Sequence, residues 1–282
     1  LSMSALDMQQ AASDFEEWAL LSEALRSGES PWSGIDSSQS LNPQELTRTA
    51  RDLQTRHLPA VAAAVANAHR LIGAEQVPSL AEAEMLLQAI GRANKVLAQA
   101  TPVIFQRDLQ DDINQIEAGG RSVLHHILYS TFSPAYRKKI DSLRELLPEN
   151  RRRMLGPSLR SLLKEAKEVL EDWQERALPL PPRSVPGIED ALTSLTWIRR
   201  TATELQSLGF RHDVIEMSLE DAEKLAEQLT RNEAHVLQLP RIAELSAILE
   251  RAGVGTLEVL PFDATHTPDQ YALSYRKAWF SR

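Results

Sequence analysis

Apolar residues recur at alternating intervals of three and four positions in several separate stretches of this chain. An α-helix has 3.6 residues per turn, so residues at these intervals form one apolar seam along a helix. The stretches are Leu58, Val61, Val65, Ala68 and Ile72; Leu80, Ala83, Leu87, Ile90, Asn94 and Leu97; and Leu159, Leu162, Ala166, Val169 and Trp173. We therefore predict an all-α fold, an elongated bundle of long antiparallel helical hairpins with coiled-coil-like seams.

The composition agrees with long helices and excludes several other classes of protein. Only 11 of the 282 residues are glycine and 5% are aromatic, which argues against sandwiches, barrels and glycine-rich nucleotide folds. The absence of cysteine excludes disulfides, thiolate zinc sites and cysteine nucleophiles. No apolar run approaches the ~18 residues of a membrane span, so no membrane partner and a cytoplasmic location are expected.

Helix-capping residues and prolines divide the apolar pattern into separate helices. Helix starts are predicted at Asn42, Ser79, Ser133 and Ser218, whose side chains can accept a hydrogen bond from the first turn. Pro59 predicts a break or kink, for which two consecutive helices are favoured over a functional hinge. Further helices are predicted over residues 103–117, up to 129, 135–147, 151–176, 188–209, 219–236, 242–252 and 271–282. Residues 254–260 could form a short strand, although helix is preferred.

Residues 178–187 are the clearest interruption of the helical pattern in the sequence. This stretch contains four prolines, which cannot continue a helix and favour extended polyproline geometry. It suggests a domain linker or a stiff connection across the end of a bundle, with a proline-rich ligand for a recognition domain as the sharper alternative. The predicted domains are therefore 1–177 and 188–282, both built of helical hairpins and packed together, with 178–187 as the connection.

Motifs of catalysis are missing. The chain has no phosphate-binding Gly-x-x-x-x-Gly-Lys-Ser/Thr, no dinucleotide Gly-x-Gly-x-x-Gly, no His-Glu-x-x-His and no Gly-x-Ser-x-Gly. His125 and His126 are adjacent, so they point about 100° apart on a helix and cannot easily share a metal. Asp111, Asp112 and Glu117 could act as acids or bases, but a solvated helix face is the favoured interpretation. We predict no catalytic, cofactor or metal site, and no enzyme activity for this chain by itself.

Charge is distributed very unevenly. Residues 137–167 hold ten cations against four acids, a net charge of +6, whereas the whole chain carries −8 and the remainder therefore −14. The ten candidate nucleic-acid-binding residues are Arg137, Lys138, Lys139, Arg144, Arg151, Arg152, Arg153, Arg160, Lys164 and Lys167. Spread over two successive helices, they could track a phosphate backbone, with Tyr136 nearby to stack on a base. The alternative is that they pair with acids on neighbouring helices.

Several aromatic segments carry a resemblance to a known family. The segments are Phe15-Glu16-Glu17-Trp18, Ser30-Pro31-Trp32, Ser133-Pro134-Ala135-Tyr136-Arg137 and Tyr275-Arg276-Lys277-Ala278-Trp279. Their order, with paired leucine-rich helices between them, resembles the helical insertion of large bacterial superfamily 1 DNA and RNA helicases. The resemblance implies a non-catalytic accessory region of a longer protein, whose ATPase motor lies elsewhere in the parent chain. The alternative function is a structural scaffold that binds proteins or self-associates and has no nucleic-acid role.

Overall fold

A computed structural model describes residues 5–26, 28, 30–35, 42–118, 133–154 and 156–251. Within these ranges the fold is all-α, as predicted, and no β-strand occurs. The α-helices are α1 (Ala5–Arg26), α2 (Pro43–Asp52), α3 (Leu58–Ile72), α4 (Leu80–Leu97), α5 (Leu109–Ala118), α6 (Pro134–Arg144), α7 (Gly156–Glu175), α8 (Ile188–Ser207), α9 (Leu219–Arg231), α10 (Glu233–Leu237) and α11 (Leu239–Arg251). None of the helices in the described ranges is long and apolar enough to cross a lipid bilayer.

The predicted helix caps are confirmed. In each, a side-chain oxygen accepts a hydrogen bond from a backbone N–H of the first turn, which satisfies a donor that has no partner within the helix. The capping residues are Asn42 (3.1 Å), Ser79 (3.2 Å), Ser133 (3.4 Å) and Ser218 (3.1 Å). A further cap, Asp108 (2.9 Å), starts α5. The single helix predicted over 103–117 is therefore replaced by a 3₁₀ turn, Pro102–Gln106, followed by α5.

The interruption predicted near Pro59 takes the form of a π-helical turn. Residues Leu53–His57 form this turn, which joins α2 directly to α3. The N–H of Leu58 donates to the carbonyl of Leu53, five residues earlier. Pro59 has no N–H to donate to a carbonyl of the preceding turn. Two consecutive α-helices, α2 and α3, therefore meet at this turn, as predicted.

The protein divides into two compact units. The first contains residues 1–58 and 197–282, and the second contains residues 59–196. Both divisions fall within helices, α3 and α8. The proline-rich stretch 178–187, predicted to connect two domains, lies inside the second unit.

Two buried tryptophans hold the first unit together. There α1 packs along α11, and the indole N–H of Trp18 donates to the Ser246 hydroxyl (2.9 Å). The indole N–H of Trp32, 1% exposed, donates to the carbonyl of Leu229 in α9 (3.0 Å). In the same unit, His57 of the π-helical turn stacks on Trp197, with ring centroids 4.0 Å apart. Burial lowers the pKa of His57, which favours its neutral form.

In the second unit, α7 is the helix on which others pack. Both α4 and α5 pack closely against α7, and α6 packs against α5. The apolar pattern of α7 is buried throughout, as the spacing predicts. The predicted pairing of α3 with α4 in a hairpin stays a prediction. The side chain of Asn94, predicted to lie within an apolar seam, reaches instead to the backbone of Val185.

Several predictions concern residues outside the described ranges. They are the helix ending near residue 129, the histidines His125 and His126, the possible strand at 254–260 and the helix at 271–282.

Candidate nucleic-acid interface

Three of the ten candidate cations lie in a turn, whereas the sequence predicted all ten on two helices. The helix predicted to begin at Arg151 begins at Gly156, five residues later. Pro157 accounts for this start, because proline lacks an N–H and fits the first turn of a helix. Arg151, Arg152 and Arg153 therefore lie in residues 148–154, which we call the arginine turn, and all three are exposed.

Side-chain hydrogen bonds hold the arginine turn at Arg151 and at Met154. The guanidinium of Arg144 donates through Nε and Nη2 to the carbonyl of Met154, at 3.4 Å each. Nη1 of Arg151 donates to Oε1 of Gln99 (3.0 Å), just beyond the end of α4. Arg152 and Arg153, between these anchors, form no ion pair within the described part of the chain. Two cations are thus presented to solvent on a fixed turn.

Five of the other candidates are paired with acids. They are Lys139 with Asp112 (2.7 Å), Arg144 with Asp141 (3.1 Å), Arg160 and Lys164 with Glu117 (3.1 Å for Lys164), and Lys167 with Glu171 (3.1 Å). The interpretation that these cations pair with acids thus holds for these five residues.

Asp112 lies at the centre of a buried ionic cluster. Its side chain is 3% exposed and contacts Arg107 Nε (2.7 Å) and Lys139 Nζ (2.7 Å). Burial alone would raise the pKa of Asp112, but the hydrogen bonds from Arg107 and Lys139 outweigh it and hold the pKa below its usual range. The carboxylate therefore stays charged and joins α5 to α6. This is a structural arrangement, and it differs from the solvated helix face predicted for this residue.

Glu117 joins α5 to α7 through ion pairs, as Asp112 joins α5 to α6. It accepts from Lys164 and Arg160, and these side-chain hydrogen bonds lower the pKa of Glu117. The Nε atom of Arg160 is buried and has no hydrogen-bond partner among the residues that the structure describes. Asp111 is more exposed, at 55%, and lies 3.8 Å from Lys139. The three carboxylates considered as acids or bases are thus counterions of the basic segment.

The two remaining candidates lie on the exposed side of α6. Arg137 and Lys138 are both exposed, and Lys138 has no ion pair among the described residues. Tyr136 was expected to be available for stacking on a base, but it is only 7% exposed and belongs to the core. That expectation is wrong, because the ring occupies the face of α6 that carries the buried Ile140 and Leu143.

Sequence reasoning missed three groups that hold this surface in place. Gln99 and the carbonyl of Met154 fix the arginine turn, and Arg107 completes the Asp112 cluster. A count of charged residues cannot reveal a glutamine 52 residues away in the sequence or a backbone carbonyl. The Arg107–Asp112 spacing of five residues is not a helical pair either, because Arg107 precedes α5.

The described ranges contain no group of three or more His, Asp or Glu side chains arranged to hold a metal ion. Comparison of the chain with protein-family models, curated proteins and solved structures gave no match.

Proposed function

We propose that this chain is a non-catalytic accessory helical region of a larger ATP-dependent nucleic-acid enzyme of the helicase type, and that it contacts DNA or RNA. The observation that supports the contact most directly is the arginine turn, where Arg152 and Arg153 are exposed and have no acid partner among the described residues. Nucleic-acid binding depends on cations that can neutralise phosphates and release their counterions.

The ion pairs seen among the described residues favour a smaller set of cations as the contact surface. A cation already paired with a carboxylate contributes little net charge to a phosphate backbone, so the five paired residues are secondary. The proposed contact residues are Arg151, Arg152, Arg153 and Lys138. Without Tyr136, the contact rests on charge and is expected to be independent of base sequence.

Anchoring of the arginine turn supports the same role. Side-chain ordering opposes binding, because each long side chain that becomes immobilised loses conformational freedom. The backbone of the turn is held at Met154 through Arg144, and the side chain of Arg151 is held by Gln99. The side chains of Arg152 and Arg153 are then the ones that must order against a ligand.

The assignment to a helicase rests on the sequence resemblance, and the ATPase motor would lie elsewhere in the parent protein. Several aromatic residues that carry the resemblance, Phe15, Trp18, Trp32 and Tyr136, are buried. They would thus be elements of a shared core. A cytoplasmic location, where such an enzyme meets its substrate, is part of this proposal.

The test is fluorescence anisotropy of labelled single-stranded and duplex DNA and RNA with the purified chain, titrated across salt. The variant replaces Arg151, Arg152 and Arg153 by glutamine. We expect weaker binding and a log–log salt slope for single strands that is shallower by about 2, since each lost phosphate contact removes about 0.7. A matched variant replaces three exposed arginines elsewhere, Arg48, Arg56 and Arg70, by glutamine.

The matched variant makes the same change in net charge and is expected to leave the slope nearly unchanged. Equal effects of the two variants, or no binding at low salt, would contradict the nucleic-acid role. A scaffold would then be the alternative. The apolar positions of α4 and α7 are largely buried, so a scaffold would use surfaces other than these seams.

A further inference from the structure

A groove in the second unit lies between the first turns of α4 and the end of α7. Its volume is about 370 Å³. It is lined by side chains of α4, by residues 74–77 of the connection that leads into α4, and by Arg176 and Leu178, which follow α7. The imidazole Nδ1 of His69 donates to the carbonyl of Ala74 (2.8 Å) and fixes the start of this connection.

Hydrogen bonds also fix the two helical walls of the groove. Asp172 in α7 accepts from Arg92 of α4 (2.5 Å) and from Arg176 (3.1 Å), so it ties the two walls together. The N–H of Leu178 donates to the carbonyl of Trp173 (3.3 Å), five residues earlier. This bond is typical of a helix C-cap, and it fixes the position of Leu178 beyond the end of α7.

Apolar side chains in this groove are open to solvent. Met85 is 53% exposed, although the neighbouring Leu86 belongs to the core. Val77 and Leu178 are half-buried. Contiguous exposed apolar surface marks sites of interaction in soluble proteins, and the unbranched methionine side chain adapts to apolar partners of different shape. The groove therefore offers apolar surface that a partner would remove from water.

The charged residues of the groove are mostly acidic. Glu75 and Glu82 are exposed, and neither forms an ion pair among the residues that the structure describes. The remaining charged residue, Arg176, is bound to Asp172. A partner in this groove would thus meet two carboxylates without counterions, which favours Lys or Arg beside its apolar side chain.

We propose that this groove binds a protein segment in which a large apolar side chain is flanked by Lys or Arg. The apolar side chain would lie against Val77, Met85 and Leu178, and the cations would pair with Glu75 and Glu82. Small-molecule pockets cover most of the ligand surface, whereas a chain segment can continue beyond an open groove. A nucleic acid is disfavoured because the two carboxylates would repel its phosphates. The proposal uses none of the ten basic residues, so it is independent of the nucleic-acid role.

The test selects binders of the intact 282-residue chain from a random peptide library displayed on phage. We expect the enriched peptides to share a large apolar residue flanked by Lys or Arg. Fluorescence anisotropy of one such peptide, synthesised with a label, then measures its affinity. Met85→Ser should weaken binding about tenfold. Glu75→Gln combined with Glu82→Gln should weaken binding and make it less sensitive to salt.

Matched controls exist in the same unit. Val103→Ser is the control for Met85→Ser, because Val103 is 49% exposed and lies outside the groove. Glu168→Gln combined with Glu189→Gln removes two negative charges from exposed acids that do not line the groove. Both controls should leave the affinity unchanged. Circular dichroism would verify that every variant retains its helices.

No enrichment, or enrichment of peptides that lack Lys and Arg, would overturn the proposal. An affinity that the groove variants leave intact, or that the control variants reduce equally, would also overturn it. Light scattering tests whether a second copy of the chain is the occupant instead. A dimer that Met85→Ser dissociates, with no peptide enriched, would replace the proposed partner by a second copy.

Discussion

Two groups of cations from one basic stretch of sequence have different surroundings in the folded protein. Lys139, Arg160 and Lys164 face α5, where Asp112 and Glu117 neutralise them. Arg152 and Arg153, in the arginine turn, remain exposed without acid partners in the described ranges. The difference follows from packing, because residues on helices that flank α5 meet its carboxylates and residues in the turn do not. A net charge summed over a sequence window therefore overstates the charge that a ligand can reach.

The largest effect is expected from removing Asp112, the buried carboxylate that neutralises Lys139 of the first group. Asp112→Ala leaves Arg107 and Lys139 without their shared acid in a largely buried site, and should cost about 2–4 kcal/mol in the free energy of unfolding. Urea unfolding at neutral pH measures this. Asp111→Ala is the matched control, and because that side chain is exposed it should cost less than about 1 kcal/mol. Similar losses in both variants would show that the buried cluster does not stabilise the fold.

Acidification should weaken the same cluster. The pKa of folded Asp112 is held below its ordinary value, so the folded state binds this proton less readily than the unfolded chain. The contribution to stability is therefore present above about pH 4, the ordinary aspartate pKa, and is lost as pH falls through the lower folded pKa.

Asp112→Asn cannot titrate, which makes it the reference for this effect. The difference in unfolding free energy between the wild type and Asp112→Asn should be greatest near neutral pH and should shrink below about pH 4. Urea unfolding at a series of pH values measures it. A difference that is constant with pH would contradict the placement of a charged carboxylate in this cluster.

The comparison can also be tested by removing the acid that neutralises two of the cations. Glu117→Gln removes the acid shared by Arg160 and Lys164, and the net charge of this surface rises by one. If the nucleic-acid proposal is correct, affinity for single-stranded DNA should increase a few-fold and the salt slope should become steeper by about 0.7. Fluorescence anisotropy across salt measures both. Glu175→Gln, an exposed acid at the end of α7, is the control, and an equal gain there would attribute the effect to net charge alone.

The features that the sequence predicted well depend on residues close together in the chain. A cap such as Ser79 is satisfied by an N–H three residues later, and the buried face of α7 follows from spacings of three and four. These patterns are decided within one or two helical turns. The all-α fold could therefore be predicted from local sequence alone.

The features that the sequence predicted poorly depend on partners that are far apart in the chain. Glu117 and Arg160 are 43 residues apart, and Gln99 and Arg151 are 52 apart. No local pattern indicates which helix faces which, so the sequence could identify the basic residues but could not separate the paired from the free. The same limit applies to the compact units, since residues 1–58 and 197–282 belong to one unit although residues 59–196 separate them in the sequence.

The smallest expected effect is the most specific test of the difference between free and paired cations. Lys138 and Lys167 both belong to the predicted basic set, but Lys167 pairs with Glu171 in α7 (3.1 Å), whereas Lys138 has no ion pair among the described residues. Each substitution to glutamine removes one positive charge, so net charge cannot distinguish them. Lys138→Gln should make the salt slope for single-stranded DNA shallower by about 0.7, the amount expected for one phosphate contact. Lys167→Gln should leave the slope nearly unchanged, and a larger effect of Lys167→Gln would mean that the ion pair opens when nucleic acid binds.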